Sequence, residues 1–243
     1  MDKNNLERFI AKYHLGGLVG PITIVSDGTT ISVRCATDNK NTVVQLSSDV
    51  FPLERGEYHI FDTAQFKSLL SVLGSDIEVK TKTSKNGVPT SLLISDVKSK
   101  VTVVLADASA IPAAPTLKSI PPMEETFVLS SDFISRFLKS ASAISNALQF
   151  AVRSNETGAS AIINYSETQN TSRIEIPFGS EVKKTLKTTY FLTEQMSAIL
   201  SANKEATKAY LSIASNISNG IAQLKFDLEG YTVTYYLVGA KPE

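Results

Sequence analysis

Arg8 and Lys12 lie four residues apart, and Arg136 and Lys139 three apart, in two segments whose apolar spacing is helical. Residues three and four apart are neighbours on a helix surface, so each pair forms a compact cationic patch. Lys67 belongs to a third such segment and Lys204 closes a fourth. The chemistry these side chains can do is phosphate contact, which neutralises charge without reading sequence. A solvated surface charge is the default reading of any one of them. Recurrence singles them out, because Glu7-Arg8-Phe9-Ile10 resembles Ser135-Arg136-Phe137-Leu138 at an offset of 128 residues.

Covalent chemistry has no comparable signature. The chain contains no G-x-x-x-x-G-K-[ST], no G-x-G-x-x-G after a strand, no G-x-S-x-G and no clustered metal ligands. His14 and His59 stand without a local acid or nucleophile and read as structural or surface histidines. Cys35 alternates with Ile31 and Val33, the pattern of a buried strand thiol, and as the single cysteine it has no internal disulfide partner. The acidic pair Glu124-Glu125 follows a proline-rich stretch and is expected to be solvated. The reading is therefore non-enzymatic, with no catalytic residue, no metal and no cofactor.

Composition narrows the setting. The 243 residues are 42% hydrophobic and 20% charged, which is globular and enough for two cores. The opening MDKNNLERFIAKYH is polar, and nowhere do 18 apolar residues run together, so a cytoplasmic location without membrane contact is expected. Asn170-Thr171-Ser172 and Asn216-Ile217-Ser218 then read as chance matches to the glycosylation pattern. Twenty-four basic residues balance 24 acidic ones. That balance disfavours tight nucleic-acid binding by counterion release, while still permitting one basic surface and one acidic one.

The elements that must position the cations are written twice. Ile60 to Val72 aligns without a gap to Tyr190 to Ala202 at an offset of 130, with Phe61, Thr63, Gln65, Leu70 and Ser71 recurring as Phe191, Thr193, Gln195, Leu200 and Ser201. Two motifs in the same order at nearly the same offset imply two similar domains of about 120 residues. Leu6, Phe9, Ile10 and Tyr13 predict one apolar helix stripe, Phe66, Leu69, Leu70 and Leu73 a second, and Ile134, Phe137, Leu138 and Ala141 a third, leaving Arg8, Lys12, Lys67, Arg136 and Lys139 exposed. Asp62 and Gln65 suggest a capping box.

Alternation predicts strands at 21–25, 30–36, 42–46, 76–83, 90–95 and 99–106, and in the second half at 124–129, 149–154, 159–166, 172–177, 186–191, 209–214, 221–228 and 231–238. Asp27-Gly28, Asn86-Gly87, Asn219-Gly220 and Glu229-Gly230 supply turns. The boundaries are residues 1–106 for the first domain, 107–123 for an extended connector carrying Pro112, Pro115, Pro121 and Pro122, and 124–243 for the second. Ile111, Leu117 and Ile120 of the connector either pin it to a sheet or wall a groove for a partner peptide.

Two domains of helix, strands, helix, strands, with a long connector and basic helices, resemble a DNA polymerase sliding clamp. The similarity is to the processivity clamps of T-even and related tailed bacteriophages, and it is carried in pattern by Tyr58 to Ala106 and by Ile221 to Val238. The resemblance implies an α+β clamp fold, with two helices per domain packed on antiparallel sheets, closing as a head-to-tail homotrimeric ring. It implies encirclement of duplex DNA faced by Arg8, Lys12, Lys67, Arg136, Lys139 and Lys204. It further implies a DNA polymerase partner, late-transcription factors, a separate ATP-driven clamp loader, and the cytoplasm of a bacterial host.

By family position, Val101, Val103 and Leu105 in one strand and Ile174 and Ile176 in another are the candidate subunit interface, with Lys98 and Lys100 approaching Glu175 or Glu181. Ile111, Leu117, Ile120, Leu237 and Val238 are the candidate partner pocket. The competing reading is a two-domain phage tail or capsid component, which would share the duplicated β-rich domains without needing a basic helical face.

Overall fold

Asp2 starts the first helix by accepting a hydrogen bond from the Asn4 amide at 2.9 Å, which satisfies one of the donors a helix leaves free at its N-terminus. This computed structural model describes all residues except 117, 118, 156, 157, 169, 180, 181, 183 and 243. The chain forms two compact units: Met1–Thr116 with Glu229–Val233, and Leu117–Leu228 with Thr234–Glu243.

In the first unit, helix α1 (Lys3–His14) precedes strands β1 (Ile22–Ser26), β2 (Ile31–Ala36), β3 (Thr42–Ser48) and β4 (Gly56–Ile60), then helix α2 (Thr63–Ser71) and strands β5 (Glu78–Thr83), β6 (Pro89–Ser95) and β7 (Lys100–Val104). The strands make an antiparallel sheet in the order β4-β1-β2-β3 and a second in the order β5-β6-β7. Leu6, Phe9, Ile10 and Tyr13 are buried as the spacing requires, and Phe9 meets Phe51 edge-on at 5.2 Å. Asp62 caps α2 through the Gln65 amide at 2.7 Å. Strand β4 is absent from the sequence reading. It is an edge strand that buries only Tyr58 and Ile60, too few for alternation to register, and β1 fixes it through pairs such as Ile22 with Ile60.

The second unit contains β8 (Glu125–Leu129), α3 (Ser131–Ala143), β9 (Gln149–Asn155), β10 (Gly158–Ile163), β11 (Ile174–Pro177), β12 (Thr189–Leu192), α4 (Thr193–Ala202), β13 (Lys208–Ala214) and β14 (Ile221–Leu228). Strand β15 (Tyr231–Val238) contributes its residues from Thr234 onward to this unit. The order β12-β9-β10-β11 repeats β4-β1-β2-β3, and β13 and β14 repeat β5 and β6. Even the strand before α3 has its counterpart. Strand β8 pairs with β13, and before α1 the Met1 ammonium donates to Ile77 O at 2.7 Å while Asp2 bridges Asp76. Each unit packs its two helices together, α1 with α2 and α3 with α4.

The α3 stripe is rotated relative to expectation. Phe133 and Phe137 are the buried pair, stacked toward Phe178 at 4.9 Å and edge-on to Phe150 at 5.0 Å, while Ile134, Leu138 and Ala141 are half-buried. The larger aromatic faces win the core position because they bury the most apolar area. Near the end of the chain, a Cβ on Gly239 would fall 1.6 Å from Asn219 O, so the close passage of these two backbones requires glycine.

Candidate nucleic-acid interface

Lys3 organises the helical surface of the first unit. Its ammonium donates to Leu73 O, just past the end of α2, at 2.7 Å and to Leu70 O in the last turn of α2 at 3.5 Å, and pairs with Glu7 at 3.5 Å. Arg8 of α1 and Lys67 of α2 are thereby brought to one open cleft of about 550 Å³, lined also by Asp2, Glu7, Ala11 and Ser71. Both basic side chains are exposed, so the sequence reading of them as surface cations holds. Lys3 was invisible to that reading because its role depends on a contact some seventy residues away in the chain.

Lys12 does not join them. It is fully buried, with its ammonium 4.9 Å from the centre of the Tyr231 ring within the same unit. The helical stripe is wider than the four apolar residues suggested, and the long aliphatic stem of lysine fits inside it while the aromatic face receives the charge. Lys12 is therefore a core residue and not a DNA-facing one.

On the second unit, Arg136, Lys139 and Lys204 are exposed. Arg136 is engaged one helical turn back by Asp132, Nε to Oδ2 at 2.7 Å, and both side chains stay mostly in solvent. Such an exposed pair is weak enough for a phosphate to displace the carboxylate.

Strands β7 and β11, which carry the candidate subunit-interface residues, are both sheet edges. Backbone parity shows which groups are free. The Leu105 amide donates inward to Thr90 O and the Phe178 amide inward to Ala159 O, so the amides of Thr102 and Val104 in β7 and of Glu175 in β11 point outward. Pro177 occupies the next outward position, where its missing N–H costs no ladder bond. Val101, Val103, Leu105 and Ile176 turn their side chains into their own units, with Ile174 half-buried, so any pairing here is made by backbone. Glu181, offered as a partner for Lys98 or Lys100, lies outside the described residues.

The proposed partner-pocket residues behave differently from one another. Ile120 and Val238 keep surface exposed and Ile111 is half-buried. Leu237 is completely buried in the second unit, where the alternation of β15 turns it inward, so its side chain serves the core instead of an open pocket. Leu117 lies outside the described residues.

The acidic pair is not solvated as expected. Glu124 accepts from the Ser215 hydroxyl at 2.6 Å and from the amides of Asn216 at 2.9 Å and Ser215 at 3.1 Å, and Glu125 is buried and accepts from the Lys184 amide at 2.7 Å. Burial pushes the Glu124 carboxyl up, but those donors together outweigh it and hold the group below the usual carboxylate range. Cys35 is buried, and burial pushes its thiol up to about 12, which leaves it protonated and unreactive.

No protein-family model matches the sequence, and no curated protein matches it. Solved structures do. The chain is similar to proliferating cellular nuclear antigen from Entamoeba histolytica, with a TM-score of 0.75 and 16% identity over 99% of this chain and 96% of that one. It is similar to A. fulgidus PCNA bound to the C-terminal region of FEN-1, with a TM-score of 0.72 and 15% identity over 100% and 98%. It is also similar to PCNA from Thermococcus kodakaraensis, with a TM-score of 0.73 and 14% identity over 99% and 98%. At these identities the likeness is one of fold: the chain has the DNA-clamp fold, in two similar units of two helices packed on antiparallel sheets.

Proposed function

We propose that the protein is a sliding clamp that closes head to tail as a homotrimer around duplex DNA and tethers a replicative DNA polymerase. The observation that carries this reading is the pair of open edges, β7 in the first unit and β11 in the second. The counterpart of β11 in the first unit is β3, and there Ser48, its last residue, donates to Gly230 O at 2.8 Å, so residues 229–233 of the same chain stand beside it. Strand β11 has no such companion among the described residues. Different edges in the two units of a duplicated chain suit a heterologous contact, which makes a ring when its rotation closes.

Arg8, Lys67, Arg136 and Lys139 of the helices and Lys204 of the turn after α4 would then supply loose phosphate contacts. Topological linkage makes tight binding unnecessary, which reconciles DNA with a net charge of zero. Opening and closing the ring would fall to a separate ATP-driven loader. Partner peptides would dock beside the 107–123 connector, with Ile111, Leu117, Ile120 and Val238 as contacts. The phage form of the reading, with a T-even-like origin, a role in late transcription and a bacterial cytoplasm as its setting, rests on the resemblance of Tyr58 to Ala106 and Ile221 to Val238.

Sedimentation equilibrium tests the assembly. The expected mass is three times the 26.3 kDa of the chain, and a monomer at every concentration would overturn the ring.

A further inference from the structure

Two guanidinium groups converge on one aromatic ring on the far side of β9 and β10 from the helices' core residues. The Arg173 guanidinium lies 5.6 Å and that of Arg153 5.9 Å from the centre of Tyr165, and Arg153 Nη1 donates to Tyr165 Oη at 3.3 Å. Strand pairing puts these groups together. Ser160 stands directly opposite Arg153 in the β9–β10 ladder, and Glu175 opposite Ile162 in the β10–β11 ladder, so their side chains leave one sheet face. The turn after β10 is closed by Asn164, in the left-handed region at φ 60, which donates to Ser172 O at 2.8 Å while Thr171 donates back to Asn164 O at 2.9 Å. That closure fixes the approach of Arg173. The result is a small pocket of about 170 Å³ lined by Arg153, Asn155, Ser160, Tyr165, Arg173 and Glu175.

Among the described residues neither arginine is held in an ion pair. Like charges gathered on one ring repel, and an oxyanion between them would reverse the sign of that interaction. Planar forks of this kind bind carboxylate and phosphate through two parallel hydrogen bonds.

We propose that this pocket is a receptor for a single oxyanion carried by a protein partner, a phosphorylated or carboxylate side chain. A nucleic-acid strand fits poorly. It carries a charge about every 3.4 Å, more negative charge than suits a small pocket whose lining already includes the Glu175 carboxylate. Base stacking also lacks a platform, because the Tyr165 ring is already engaged by both guanidinium groups and by Tyr190 at 6.1 Å. The pocket borders the β11 edge proposed for self-association, but its test needs neither DNA nor trimer.

The experiment follows the arginine Nε–Hε resonances of the isotope-labelled full chain at constant ionic strength. The probes are inorganic phosphate, a phosphoserine peptide, the same peptide with glutamate, and a single-stranded oligonucleotide. Saturable shifts at Arg153 and Arg173 are expected with inorganic phosphate and with at least one peptide, and the tighter peptide identifies the natural oxyanion. Arg173→Gln should weaken binding at least tenfold, Arg173→Lys should not restore it, and Ser160→Asp, which places a carboxylate inside the pocket, should abolish it in a chain whose remaining spectrum is unchanged. No saturable shift with any probe, binding of the phosphoserine peptide to the Arg153→Gln/Arg173→Gln chain as tightly as to the wild type by calorimetry, or tighter binding of the oligonucleotide than of both peptides would overturn the proposal.

Discussion

Lys12 shows how position on a helix misleads when only apolar residues are counted as buried. Its charge rests on the Tyr231 ring inside the first unit, so Lys12→Ala should cost about 2 kcal/mol and lower the melting temperature by several degrees. Duplex association should be unchanged at temperatures where the variant is folded. By contrast, alanine at Arg8, Lys67, Arg136, Lys139 and Lys204 together should leave the melting temperature near wild type and flatten the salt dependence of DNA association, because exposed contacts are screened within about 8 Å at physiological salt and act collectively. Glu124 gives the residue scale its pH dependence. Its carboxyl is held low in the folded chain, so its stabilisation is complete above the unfolded value of about 4.3 and disappears as pH falls through the folded value. Glu124→Gln should cost about 1 kcal/mol at neutral pH in denaturant melts, with the two curves converging in acid. A difference that persists or grows at low pH would contradict this role.

At the scale of elements, the decisive feature is which backbone groups face outward. Proline at Thr102 in β7 and at Glu175 in β11 removes outward amides without touching the inner ladders. The double variant should therefore stay folded while weakening self-association about 100-fold, roughly 2.7 kcal/mol, measured by sedimentation against circular dichroism. Wild-type association in a folded double variant would place the contact elsewhere. These strands were legible in the sequence as alternating runs, as were the duplicated helices, the capped start of α2 and the turns, while their edge position was an expectation of the family resemblance. Strand β4 was not, because it owes its place to β1 and buries only two side chains. The rotation of α3 was equally hidden, since Ile134 and Phe133 are adjacent and only the aromatic partners Phe150 and Phe178 decide between them. The candidate site divides the same way. Exposed cations on repeated helices can be read from spacing and the inward turn of Leu237 from the alternation of its strand, whereas the burial of Lys12 against Tyr231 and the meeting of Arg153, Tyr165 and Arg173 depend on side-chain packing that spacing does not show.

For the whole molecule, the proposed ring would join a neutral chain to DNA by topology. Affinity and topology give opposite behaviour on DNA ends: a phosphate-binding protein is released by salt regardless of ends, while a closed ring resists salt and leaves when an end is made. The most direct measurement loads the protein onto nicked circular duplex, isolates the complex in high salt, and then cuts the circle once with a restriction enzyme. The account predicts that protein and circle elute together until the cut and separate after it. Loss of the protein in salt before the cut, or its retention on the linear product, would contradict a clamp that encircles DNA.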